Sequence, residues 1–191
     1  MPALPSRDDA LALVHAHVDS LSLRRHMYAV EAACRAYARR FGEDEALYGV
    51  TGLVHDFDYE RFPDEHPLPG VRILREQGYP EEVAHAVLAH NAPRTGVHPE
   101  TLLDRTLYAC DEITGLITAA ALVRPSRSLA DLEARSVLKK MKDRAFAAGV
   151  DREEVHRAAG LLGVELPEHV DFVIGAMRTV AGELGLAGAG A

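Results

Sequence analysis

Residues 52–59 read Gly52-Leu53-Val54-His55-Asp56-Phe57-Asp58-Tyr59, an apolar run that closes on a histidine and an aspartate side by side. A polar loop carrying Pro63, Pro67 and Pro69 follows. Leu47, Val50 and Val54 recur at helical spacing, which predicts a helix over 43–56 with the pair at its C-terminal end. There the hydrogen-bond ladder loses its last partners and side chains can converge on a site. Polar groups taken out of water must find partners, and a metal ion is one. Two adjacent letters arise by chance, so the reading turns on whether other His and Asp residues face inward from other helices.

Four such residues emerge along the chain. On the helix expected to run from Ser20 or Ser22 to Phe41, His26 shares a face with Val30, Ala33 and Tyr37. His66 lies in the proline-bearing loop. Pro80-Glu81-Glu82 opens a further helix, on which His90 joins Val83 and Val87 while His85 points away. On the longest helix, from about Pro99 to Val123, Asp111 interrupts the apolar row Leu103, Leu107, Thr114, Thr118. A carboxylate there needs a partner, because unpaired charges are almost never buried. Imidazole and carboxylate donors without thiolates suit one or two divalent ions, drawn from Fe, Mn, Mg, Zn, Ni or Co.

Short helices over 8–19 and 69–77 and later ones over about 128–148, 151–163 and 167–182 complete an all-α bundle of about eight or nine helices. We read residues 1–184 as one domain, with the metal-binding core over about 22–125, C-terminal helices over 126–184, and a frayed tail over 185–191. The composition agrees: 48% of the residues are hydrophobic, few are aromatic and none is Trp.

A net charge of −8 argues against a general nucleic-acid or anionic-membrane binder. No apolar run approaches a membrane span, and the N-terminus lacks a secretion signal pattern, so a cytoplasmic location is expected. Cys34 and Cys110 fall in apolar helical patterns and read as reduced core thiols. The other histidines, His15, His17, His85, His98, His156 and His169, read as surface or capping residues.

The order His26, His55-Asp56, Asp111 resembles the HD-domain superfamily of metal-dependent phosphohydrolases, named for its His-Asp pair. The likeness covers about residues 22–125. It implies His26, His55, Asp56 and Asp111 as metal ligands, and in the two-metal subset His66 and His90 as well. Asp111-Glu112-Ile113-Thr114-Gly115, Val123-Arg124-Pro125 and Val137 to Lys142 are similar to a group of small bacterial single-domain HD proteins. Many two-metal members continue the pair as His-Asp-Ile-Gly-Lys; this chain reads His55-Asp56-Phe57-Asp58-Tyr59 and has no lysine there.

The resemblance implies hydrolysis of a small phosphoester, a nucleotide or related metabolite, by a metal-activated water. Asp56, His66 and His90 are the candidate catalytic residues, the histidines as ligands or as acids for the leaving group. Arg25, Arg124, Lys139, Lys140 and Lys142 are candidate phosphate binders, against an ordinary solvated face for the lysines, where Lys139 and Asp143 at i,i+4 would pair. Two other functions fit the same donors: a di-iron oxygenase on the HD fold, and a nucleotide- or metal-binding module without catalysis. A homodimer is compatible with the sequence.

Overall fold

The computed structural model describes residues 4–188. Among these it contains eleven helices and no strand beyond one isolated bridge, so the all-α expectation holds. The count exceeds eight or nine because two of the helices, Ala92–Thr95 and Ala181–Leu184, are four residues long and too short to show a period.

The chain divides into two compact units, Met1–Tyr108 and Ala109–Ala191. The first holds α1 (Arg7–His17), α2 (Leu21–Phe41), α3 (Glu45–Val54), α4 (Leu68–Glu76), α5 (Glu81–Ala89) and α6 (Ala92–Thr95). Local chemistry sets the ends. Ser6 and Asp9 form a reciprocal capping box on α1, Asp44 accepts from the Ala46 and Leu47 amides at the start of α3, and Gly42 ends α2 at φ 74°.

α3 is the central element of this unit and packs on α1, α2 and α5. Leu53, Val54 and Phe57 are fully buried with Met27, Leu74 and Val83, each contributing about 1.5–3 kcal/mol of transfer free energy. Gly52 permits the close approach to α2, since a Cβ there would stand 3.0 Å from the Glu31 backbone and the Val30 carbonyl oxygen. Glu31, itself buried, accepts from Arg7 and Arg35, so its charge is compensated.

Helix α7 (Leu102–Leu122) contains the boundary between the units. The second unit continues with α8 (Ala134–Met141), α9 (Arg152–Leu162), α10 (Leu166–Arg178) and α11 (Ala181–Leu184), and α10 packs on α8, α9 and α11. The helix expected from Ser126 or Ser128 through Ala148 is much shorter. Ser128 Oγ donates to the Ala187 carbonyl and accepts from Ala130 N–H, so it caps no helix. Arg178 donates to the carbonyls of Leu129 and Leu132, giving this non-helical backbone the partners a helix would have supplied. Beyond α8, Arg152 does the same for the carbonyls of Phe146, Ala147 and Val150.

The expected frayed tail is anchored at its start. Leu186 is buried, its carbonyl accepts from Leu129 N–H, and its own N–H bonds Ala181. Residues 189–191 of that stretch lie outside the described residues. No helix among the described residues is long and apolar enough to cross a membrane.

Candidate metal centre

Five of the six expected ligands converge within the first unit. His26 comes from α2, His55 caps the end of α3, Asp56 opens the turn beyond it, His66 precedes α4, and His90 caps α5. His55 is fully buried and His66 and His90 nearly so, whereas His26 keeps 23% of its side chain exposed.

The Asp56 carboxylate divides these histidines into two pairs. Its Oδ2 lies 3.8 Å from His26 Nε2 and 3.5 Å from His55 Nε2. Its Oδ1 lies 3.2 Å from His66 Nε2 and 3.4 Å from His90 Nε2. The donor atoms of Asp56, His66 and His90 all fall within 4.8 Å of one another, a spacing that suits a single ion. Burial opposes the charge on Asp56, but the charges and hydrogen bonds of His55 and His90 outweigh it and hold the carboxyl well below its ordinary range. Asp56 is therefore an anion at neutral pH.

The ring tautomers follow from what each Nδ1 touches. His55 Nδ1 is 2.8 Å from the Gly52 carbonyl and His90 Nδ1 is 2.6 Å from the Val87 carbonyl. A carbonyl only accepts, so both nitrogens carry the proton. His66 Nδ1 is 2.7 Å from Asp58 Oδ1 and donates to it. As neutral imidazoles, the form that ligates a metal, all three rings then present Nε2 lone pairs. Yet His66 Nε2 and His90 Nε2 are 3.0 Å apart, with Asp56 Oδ1 close to both. Acceptors at that distance repel unless a positive charge sits among them, so the donor set fits a cation of nitrogen- and oxygen-preferring type.

Asp58 matters more than its place in a polar loop suggests. It is fully buried, and besides His66 it accepts from the Gly70 N–H at 2.8 Å. A Cβ at Gly70 would stand 2.7 Å from the Asp58 carboxyl carbon, so the glycine admits this carboxylate. Carboxylate-to-histidine-to-metal relays of this kind fix the ligating ring. The signal in the sequence was faint: an acid two residues past the pair and a glycine at the start of α4. Glu60 is structural, its Oε2 accepting from the amides of Asp19 and Ser20.

Asp111 lies half-buried on α7, in the second unit. Of the expected phosphate binders, Arg25 is half-buried beside His26 and its Nε makes no hydrogen bond, whereas the adjacent Arg24 donates to the Val18 carbonyl. Arg124 is held by Asp131 at 2.7 Å. Lys139, Lys140 and Lys142 are exposed around α8.

Two histidines read as surface or capping residues differ from that. His169 is buried and bonds the Ala109 carbonyl at 2.8 Å, and His85 Nδ1 lies 3.0 Å from the buried Asp104 carboxylate. Both sit where a helical wheel cannot distinguish a core position from its neighbour.

Comparison with known proteins agrees with this geometry. Residues 23–116 match the HD domain family. Ribonuclease Y of Desulfotalea psychrophila is 27% identical over 136 residues, 68% of this chain and 25% of that protein. Ribonuclease Y of Nitratidesulfovibrio vulgaris is 30% identical over 100 residues, 50% of this chain and 18% of its own length. The chain thus spans a quarter or less of these relatives. The matched stretch holds His26, the His55-Asp56 pair, His66, His90 and Asp111 in order, and over residues 23–116 the chain is an HD domain.

Proposed function

We propose that the chain hydrolyses a small phosphoester, a nucleotide or a related phosphorylated metabolite, with two divalent ions held around Asp56. His26 and His55 with Asp56 Oδ2 would hold one ion. His66 and His90 with Asp56 Oδ1 would hold the other. The observation that carries this reading is the division of four histidines between the two oxygens of one half-buried anionic carboxylate. Bound divalent ions supply Lewis-acid polarisation of a phosphoryl oxygen and lower the pKa of water toward about 7.

The chain's own residues do the rest. Asp56 stays ionised and keeps the two histidine pairs in register. Asp58 holds the His66 proton on Nδ1 and so keeps Nε2 available. Arg25, with donor capacity left on Nε, stands beside His26 to meet phosphate oxygens. Tyr59, 48% exposed and edge-on to the His66 ring at 5.4 Å, offers a surface against which the substrate can lie.

The relatives named ribonuclease Y support phosphorus–oxygen cleavage as the reaction class, while the −8 charge of this chain favours small substrates over long RNA. The test is product detection on a panel of nucleoside mono-, di- and cyclic phosphates with protein reconstituted in Mn²⁺. Release of phosphate or of a nucleoside monophosphate, lost with Asp56→Asn, is expected. Oxygen consumption by the iron-loaded protein without phosphate release would replace this reading with the di-iron oxygenase.

A further inference from the structure

The second unit carries a concavity that the metal chemistry does not use. It is an open groove of about 520 Å³, lined by Ala120, Val123, Arg124 and Pro125 from the end of α7 and the residues after it, by Leu132, and by one face of α8 with the turn beyond. That face is Ser136, Lys139, Lys140 and Asp143, at i, i+3, i+4 and i+7. The volume lies within the range of small-molecule sites, and the lining follows their usual plan of an apolar floor with a few convergent polar groups.

The two lysines of this concavity find no counter-ion in the chain itself. The ordinary explanation for a lysine run is a solvated helix face with i,i+4 ion pairs. Here Asp143 Oδ1 instead accepts from Ala145 N–H. Among the described residues no carboxylate lies within ion-pair distance of Lys139 or Lys140, although acids outnumber bases in the chain 29 to 21. Lys140 is steadied by the Phe146 ring, its Nζ 4.9 Å from the centroid. Arg124 is pinned by Asp131 through Nη2, while its Nε is buried without a hydrogen-bond partner. The side chain as a whole keeps 29% of its surface exposed, so this Nε is a donor still open to an anionic ligand oxygen.

We infer that this concavity is a ligand site of the second unit for a nucleoside monophosphate-sized anion, its phosphate held by Lys139, Lys140 and Arg124 and its planar body laid on Val123, Pro125 and Leu132. Lys142 has no part in it, because it lines a separate cavity with Arg152, His156 and Glu165. The inference does not rest on the proposed phosphohydrolase reaction, and it assigns three of the expected substrate-binding cations to a site that works without metal.

The test is fluorescence anisotropy of N-methylanthraniloyl-AMP titrated with the full chain in excess chelator, which prevents turnover. Saturable binding is expected, with Kd raised at least tenfold in the Lys139→Ala/Lys140→Ala double variant and kept within about threefold in Lys139→Arg/Lys140→Arg. Both lysines are exposed, and matching helical circular dichroism confirms that the variants fold. Asp56→Asn should bind as wild type does. No saturable binding by the chelated wild type, an unchanged Kd in the double alanine variant, or binding that appears only with metal and vanishes in Asp56→Asn would each overturn the inference. The last of these would return the lysines to the metal centre's substrate and leave the phosphohydrolase reading standing.

Discussion

Asp58 and Glu112 show how far single residues can be read. Asp58 stands in a polar loop, yet its carboxylate accepts hydrogen bonds from His66 Nδ1–H and the Gly70 N–H. Asp58→Asn can present its amide nitrogen to His66 and turn the ring's proton toward Nε2. Metal affinity should fall roughly 10–100-fold with helical content unchanged, measured by competition against a chromophoric chelator; unaltered affinity would show that His66 needs no such partner.

Glu112 is a different case. Burial first, then the neighbouring Asp111 and Glu154, push its carboxyl up to about 7. A raised carboxyl favours the neutral folded form, so its contribution is most favourable below the ordinary value of 4.5 and is lost as pH rises toward about 7. In chelated protein, Glu112→Gln should gain on the order of 1–2 kcal/mol over wild type at pH 8, after allowance for its partial exposure, and much less at pH 5. Urea unfolding at the two pH values measures this. The inward faces of His26 and His90 and the HD pair were legible from periodicity, because each helix offered enough turns to define a face. Asp58, His85 and His169 were not, since their roles come from atoms brought near by the fold.

At the scale of elements, capping and breaking residues marked several boundaries within two or three positions: Ser20 and Gly42 for α2, Asp151 and Gly163 for α9. The stretch between α7 and α8 was misread because its backbone carbonyls find side-chain donors from Arg178, far along the chain. Serine caps and apolar spacing suggest a helix there, and nothing local announces the competing partner. The close contact of α3 with α2 at Gly52 was equally invisible, since a glycine within a helical pattern ordinarily only weakens it. Gly52→Val should cost about 1–3 kcal/mol by forcing the two helices apart. It should also weaken metal binding, because His55 Nδ1 bonds the Gly52 carbonyl. Thermal unfolding with and without metal separates the two effects; equal stability with intact metal binding would mean that the helices have slack at this contact.

For the molecule as a whole, an acidic chain of 191 residues places a ligand-rich centre in its first unit and its unpaired lysines in its second. A net negative charge disfavours polyanions in general, while divalent cations at the proposed centre would admit small anionic substrates. The all-α class follows from composition and period. The division into units does not, because it falls inside α7, a continuous helix without any break in pattern. The proposed metal centre turns on Asp56, whose two oxygens would each serve one cation site. Its most direct test is metal stoichiometry by plasma mass spectrometry after loading with Mn²⁺ and desalting, for wild type and Asp56→Ala. Two ions per chain are expected in wild type and at most one, weakly held, in a variant that keeps its helical content; two ions retained without Asp56 would contradict the proposed role of this carboxylate.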